Sequence, residues 1–222
     1  MPGVKRERED SVGVLTLDEP ATLNAMTPDL LGDLAVAIGE MSDDPHIRAL
    51  VLTGAGRGFC SGQNLKAAAI LGDDIVAGVM RYHWPAFKAL RECRVPVVVA
   101  VNGVAAGGGF SLAMAGDIIV AAHSASFIQV FSRIALVPDL GSTWLLPRLV
   151  GRQRALELML SNEPLSAEQA KITFGASPHT RKMADVQIVP PAGRSIAEGS
   201  RWWTLPSWWT SKHRSTSKVH HA

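Results

Sequence analysis

VLTGAGRGFCSGQNL (residues 51–65) and PVVVAVNGVAAGGGFSLAMAGDI (residues 96–118) are the stretches that decide the fold. Each opens with an apolar, β-branched run, which is typical of a strand buried on both faces in a parallel sheet. Each continues into glycines, which let a ligand approach the backbone closely, and the second leads into a helix whose N-terminus offers unpaired N–H groups. Two such donors converging on one oxygen would form an oxyanion hole, whereas either loop taken alone is also explained as a tight turn.

Strands and helices alternate outward from these stretches. Strands are predicted at residues 11–17, 49–53, 96–101 and 117–122, the first as part of an edge hairpin. Helices are predicted at residues 27–42, 73–93, 110–115 and 151–160, and another begins at Ser166. Pro85 predicts a break within the second helix. The alternation favours an α/β fold with a parallel sheet, right-handed crossovers and helices layered against it.

Composition limits the function classes. The chain has 222 residues, 47% of them hydrophobic, so it can bury a sizeable core. A net charge of +2 and the lack of a long single-sign block over residues 1–171 indicate no nucleic-acid partner. No apolar run is long enough for a membrane span, and the charged start gives no export signal. With only Cys60 and Cys93, no disulfide framework is expected, which favours the cytoplasm.

The two quoted stretches resemble the signatures of the enoyl-CoA hydratase/isomerase (crotonase) superfamily. Asn24-Ala25 is similar to an early element of the same family, and the resemblance runs from Val12 to Ala170. It implies a crotonase-like (ClpP/crotonase) fold, a repeated ββα spiral, assembled as a homotrimer or as a hexamer of two trimers. It also implies an acyl-CoA substrate and no cofactor, since the coenzyme A thioester is itself the substrate.

The resemblance assigns the substrate-binding residues. It puts the thioester carbonyl between the backbone N–H groups of Gln63 and Gly108, which would stabilise an enolate. The residues expected to line the coenzyme A thioester are Ser61, Gly62, Gln63, Asn64, Leu65, Lys66, Gly107 and Gly108. For Lys66, a phosphate partner and an exposed, solvated lysine are both open.

The resemblance also bears on the acid–base group. Hydratases of the family use two glutamates, and the matching positions hold Ser111 and Phe131, neither of which can act as an acid or base at neutral pH. Asp139 stands where the branch of Δ3,Δ2-enoyl-CoA isomerases and ring-epoxide isomerases has its single catalytic carboxylate. A turn residue is the alternative for Asp139, because Pro-Asp-x-Gly is ordinary turn chemistry.

The sequence therefore predicts an acyl-CoA isomerase with Asp139 as the base. An enoyl-CoA hydratase is one alternative, and a catalytically inactive core is another. Cys60 is predicted to be a buried thiol rather than a nucleophile. His83 and His123 have no partners at catalytic spacing, so each is expected to be solvated or packed. No metal-ligand cluster or dinucleotide motif is present in the sequence.

The C-terminal part of the sequence changes character. Residues 1–171 form the predicted acyl-CoA-binding core, whereas residues 172–222 carry two Trp-Trp pairs and a basic end without periodicity, which predicts a poorly ordered tail. The family's C-terminal helical domain is not recognisable there. A reading-frame change explains this most economically, and a segment that binds a partner or a membrane surface is the alternative. Exposed apolar surface and weak assembly are expected if the helices are missing.

Overall fold

The computed structural model of the protein describes residues 3–66 and 74–173. The strands are β1 (Val4–Glu9), β2 (Val12–Leu17), β3 (Ala49–Gly54), β4 (Gly58–Cys60), β5 (Val97–Val101), β6 (Val104–Ala106), β7 (Ile118–Ala121), β8 (Ser126–Ile128) and β9 (Leu165–Ser166). The helices are α1 (Pro28–Asp43), α2 (Ile75–Tyr82), α3 (Trp84–Arg91), α4 (Gly108–Ala115), α5 (Ser142–Val150), α6 (Arg152–Ser161) and α7 (Ala167–Thr173).

The strands form two sheets, one long and one short. The long sheet has the order β1-β2-β3-β5-β7, parallel except for the β1–β2 edge hairpin, and the short sheet has the order β4-β6-β8-β9. After β3, β5 and β7, the chain crosses to a short strand (β4, β6 or β8) before its next helix. This ββα repeat confirms the crotonase-like spiral.

Local chemistry explains where the helices begin and end. The hydroxyl of Thr27 accepts a hydrogen bond from the N–H of Leu30 at 3.2 Å, and Pro28 occupies the first turn, as predicted for the start of α1. The long helix predicted up to Cys93 is broken at His83 into α2 and α3. Pro85 lies in the first turn of α3, where its missing N–H does no harm.

The short sheet and helix α5 are the parts of the fold that the sequence did not predict. Residues 58–65 and 102–109 were expected to be loops and turns, yet they contain β4 and β6. Both strands have three residues, and β4 begins with a glycine while β6 lies between two, so they lack the length and alternation by which a strand is recognised. They pair in parallel with each other, and β6 also pairs with β8.

The core lies between the sheets and the helices. Every residue of β5 and of α4 is buried, and the rings of Phe110 and Phe127 pack with 5.2 Å between their centroids. Because α4 is buried on all sides, its many small residues let neighbouring elements approach closely. No helix within the described ranges has the length and hydropathy needed to cross a bilayer. Of the predicted tail (residues 172–222), residues 174–222 lie outside the described part of the chain.

Candidate active site

Asn24 fixes the loop that leads to the first candidate oxyanion donor. It is fully buried, and its amide nitrogen lies 3.0, 2.9 and 3.1 Å from the carbonyl oxygens of Ala55, Gly58 and Phe59. Its amide oxygen accepts from the N–H of Glu19 at 2.8 Å. One side chain therefore satisfies several backbone groups of this turn.

The two glycine-containing loops meet at the start of α4. A β-carbon built on Gly62, whose φ is +89°, would lie 2.7 Å from the carbonyl oxygen of Ala106 and 3.4 Å from the nitrogen of Gly108. A β-carbon on Gly109 would lie 2.1 Å from the carbonyl oxygen of Cys60. The close approach of these backbones requires glycine at both positions.

The N–H groups of Gln63 and Gly108 form no hydrogen bond with the part of the chain that the structure describes. Met26 donates to the carbonyl of Gly62 at 2.7 Å and accepts from the N–H of Asn64 at 3.0 Å, so the N–H of Gln63 between them is not used in that bridge. Gly108 is the first residue of α4 and has no intrahelical acceptor. Within residues 3–66 and 74–173, neither N–H has a hydrogen-bond acceptor.

The segment that carries Asp139 packs against the first turn of α4. The backbone carbonyl of Asp139 accepts hydrogen bonds from the hydroxyl of Ser111 at 3.2 Å and from the N–H of Ser142 at 2.9 Å. The neighbouring Leu140 side chain lies 3.0 Å from a β-carbon built on Gly108. Asp139 is an exposed residue, yet the protein atoms around its carboxyl raise its pKa through desolvation.

The two positions at which hydratases carry glutamates are closed to solvent. Ser111 is fully buried in α4, and Phe131 is 6% exposed. The ring of Phe131 and the side chain of Val130 lie beside Gly107, whose φ of +52° turns the chain into α4. The N–H of Gly107 donates to the carbonyl of Ile128 at 2.9 Å. Neither Ser111 nor Phe131 supplies a second acid or base.

His83 has a partner that the sequence did not predict. His83 is 3% exposed, which agrees with the expectation of a packed rather than a solvated histidine. Its Nε2 forms a hydrogen bond with Oε1 of Gln63. Desolvation lowers the pKa of His83, which favours the neutral ring. Nothing in the spacing of these residues signals the contact, since it depends on how the α2–α3 break packs.

The remaining candidates have simpler environments. Cys60 is a fully buried thiol, as predicted, and burial raises its pKa to about 12. Ser61 donates to the carbonyl of Thr22 at 2.9 Å, while Leu65 and Lys66 are exposed next to the loop. In the described part of the chain, no group of three histidine, cysteine or acidic side chains is placed to hold a metal. A cavity of about 470 Å³ at Val150–Arg154 and Glu157 shares no residue with these loops.

Comparison with known proteins identifies the family. The family model described as enoyl-CoA hydratase/isomerase matches residues 7–174. The chain belongs to the enoyl-CoA hydratase/isomerase family. The 1,2-epoxyphenylacetyl-CoA isomerase of Escherichia coli K12 is 46% identical over 166 residues, which are 73% of this chain and 63% of that protein. The mitochondrial enoyl-CoA hydratase of Pongo abelii is 37% identical over 168 residues, 75% of this chain and 57% of that protein.

Solved structures agree with the family assignment. An enoyl-CoA hydratase from Bacillus anthracis has a TM-score of 0.74 at 29% identity, covering 82% of this chain and 72% of that one. A monofunctional enoyl-CoA isomerase from M. smegmatis has a TM-score of 0.66 at 34% identity, covering 78% and 74%. This family member spans about three fifths of the length of the curated relatives it matches. The relatives include both hydratases and isomerases.

Proposed function

We propose that the protein is an acyl-CoA isomerase that shifts a double bond, or opens a ring epoxide, through the enolate of a coenzyme A thioester. One observation carries the proposal. The N–H groups of Gln63 and Gly108, which have no acceptor among the described residues, adjoin the segment of Asp139. Desolvation raises the pKa of the Asp139 carboxyl group. The positions of the two hydratase glutamates hold no acid.

The two N–H groups supply the electrostatic part of the reaction. Both would donate to the thioester oxygen, where negative charge develops as a proton leaves the α-carbon. Donors fixed by the backbone need no reorganisation when the charge forms, and loss of one such donor typically costs ~10²–10³ in rate. Asn24 and the glycines at 62 and 109 support this function because they fix the two loops against each other.

Asp139 would move the proton. As a carboxylate it takes the proton from the α-carbon of a 3-enoyl thioester, and the electron pair of that C–H bond enters the conjugated dienolate. It then returns the proton to the γ-carbon, which leaves the double bond between the α- and β-carbons. Desolvation raises the pKa of the carboxyl group, which brings it closer to neutrality and makes both transfers easier.

Water addition by two glutamates is disfavoured by the same residues. That mechanism requires one group to activate water and another to protonate the α-carbon. Ser111 is fully buried and its hydroxyl donates to the carbonyl of Asp139, while Phe131 is apolar. Among the described residues, Asp139 is the carboxylate that we assign to the site, and one is sufficient for isomerisation.

The coenzyme A moiety is expected to lie along the loop after β4. Its proposed contacts are Ser61, Gly62, Asn64, Leu65, Lys66 and Gly107. The similarity to a 1,2-epoxyphenylacetyl-CoA isomerase supports aromatic as well as aliphatic acyl groups as candidates. A homotrimer or hexamer remains our prediction, and an assembly would cover exposed apolar side chains such as Val137 (76% exposed) and Trp144 (61%).

Replacing the proposed base tests this function. We expect Asp139→Asn to lower the rate of double-bond shift by ~10²–10⁴-fold, because the amide cannot accept the proton, while the thioester still binds. Glu163→Gln, an exposed acidic position, is the matched control and should retain the wild-type rate. Turnover in Asp139→Asn at the wild-type rate would contradict the proposal, as would a wild-type chain that binds thioesters but never isomerises them.

A further inference from the structure

Gln63 is held from two directions. On one side, Met26 bonds the backbone of the residues before and after it, Gly62 and Asn64. On the other side, Oε1 of Gln63 bonds with Nε2 of His83 at the α2–α3 junction. An amide oxygen can only accept, so Nε2 carries the proton and Nδ1 of a neutral ring does not.

We propose that His83 is a positioning residue that sets the direction of the Gln63 N–H, and thereby the strength of the oxyanion hole. The inference rests on the proposed function, because it assigns His83 a part in that same site. The side chain and the N–H of Gln63 belong to one residue, so anchoring the amide restricts rotation of the peptide that carries the donor. Small misplacements of such a donor weaken catalysis strongly.

Two polar atoms of the His83–Gln63 pair lack partners among the described residues, and this supports the same inference. Nδ1 of His83 and Nε2 of Gln63 are buried and have no hydrogen-bond partner among the described residues. Burying polar atoms without partners destabilises the fold, and two packed apolar side chains would avoid that cost. A local feature that lowers stability is expected where function requires it, and this one adjoins a proposed catalytic donor.

The hydrogen bond between His83 and Gln63 does more than fill space at the α2–α3 break. The α2–α3 break needs only Pro85 and a residue that fits the space, and an apolar side chain such as leucine would fill it. The hydrogen bond to Gln63 adds direction, which packing alone does not provide. Loss of the donor at position 83 should therefore change the chemistry at the thioester carbonyl more than it changes substrate binding.

Infrared spectroscopy of a bound thioester tests this directly. The probe is a 2-enoyl-CoA labelled with ¹³C at the carbonyl, bound to the full chain, with kcat and KM measured in parallel. We expect the wild type to lower the carbonyl stretching frequency. His83→Leu should return the frequency part of the way to the free value, because the Gly108 donor remains, and lower kcat about tenfold or more, with KM changed less than about threefold. His83→Gln, which can still donate to Gln63, should restore much of the shift.

A double-mutant comparison completes the test. Gln63→Leu keeps the backbone donor but loses the contact, so it should match His83→Leu, and the double variant should be no worse than either. Additive losses, or an unchanged carbonyl frequency in His83→Leu, would overturn the inference. If His83→Leu does not fold, the frequency in Gln63→Leu decides in the same way. His123→Leu, at an exposed histidine, should behave as wild type.

The infrared experiment distinguishes a failure of the proposed function from a failure of the proposed role of His83. A wild-type chain that leaves the carbonyl frequency unchanged has no oxyanion hole, and both the proposed function and the role of His83 then fail. A wild-type shift that persists in His83→Leu and Gln63→Leu removes only the role of His83.

Discussion

The hydroxyl of Ser111 donates a hydrogen bond to the backbone carbonyl of Asp139, with 3.2 Å between the two oxygen atoms. The contact joins helix α4, which begins at the proposed donor Gly108, to the segment that carries the proposed base. A residue at a position where hydratases have an acid thus supports the neighbouring segment instead. The proposed donor Gly108 and the segment of the proposed base are thus connected within one turn of α4.

Removing this hydroxyl should loosen the base. We expect Ser111→Ala to lower the free energy of unfolding by about 1 kcal/mol, since a typical net hydrogen bond contributes that much. It should also lower kcat more than it changes KM, because the carboxyl group becomes less well placed. Urea denaturation and steady-state kinetics measure the two effects. An unchanged kcat with normal folding would show that the contact does not position Asp139.

The raised pKa of Asp139 predicts the pH dependence of activity. The base must be ionised, so activity is lost as the pH falls through its folded-state pKa. Because desolvation raises the pKa, the acid limb of the kcat/KM profile should lie above the ordinary aspartate value of about 3.9. The measurement is a kcat/KM profile from about pH 3 to 9, so that an acid limb at the ordinary aspartate value would be visible. An acid limb at or below the ordinary value would contradict the assignment.

The same shift predicts a gain in stability for Asp139→Asn. A raised folded-state pKa means that the folded protein binds the proton more tightly than the unfolded chain does. The associated stability is present below the ordinary pKa and lost as the pH rises through the raised one. At neutral pH, Asp139→Asn should therefore unfold at a higher urea concentration than wild type, and an unchanged midpoint would contradict this prediction. The difference between the two proteins should shrink on acidification.

Two helical glycines provide a matched pair of substitutions. A methyl group on Gly109 would meet the carbonyl oxygen of Cys60 at 2.1 Å, whereas one on Gly39 meets nothing within 4 Å. Gly109→Ala should cost ~1–3 kcal/mol of stability and weaken thioester binding, because it separates the two loops. Gly39→Ala should stabilise α1 by about 1 kcal/mol. Equal effects of the two changes would show that the loops do not depend on this approach.

The hydrogen bonds donated by the Asn24 side chain should contribute most of its effect on stability. Asn24→Ala removes a hydrogen-bond partner of three backbone carbonyls and one N–H, which should cost about 3 kcal/mol or more. Of these groups, the carbonyl of Gly58 keeps a 3.4 Å contact with the amide of Asn102. Asn24→Asp retains the acceptor for the N–H of Glu19 but loses the donors, so it should be nearly as damaging. Thermal unfolding of both variants measures this. Full stability of Asn24→Asp would assign the effect to the Glu19 contact alone.

The long sheet and most helices could be predicted because their signals are local. Buried β-branched runs gave β3 and β5, and Thr27 with Pro28 marked the start of α1. The short sheet was missed because strands such as β4 have three residues and exist only through pairing across the chain. For the same reason the His83–Gln63 and Ser111–Asp139 contacts could not be predicted, since each joins residues brought together by packing.

The most direct test follows two products in one assay. The purified protein is given 3-enoyl-CoA and 2-enoyl-CoA substrates in deuterated water, and double-bond shift and hydration are recorded separately. A single carboxylate beside an oxyanion hole predicts double-bond shift in both directions, with no build-up of 3-hydroxyacyl-CoA. Formation of 3-hydroxyacyl-CoA as fast as, or faster than, the double-bond shift would contradict the account.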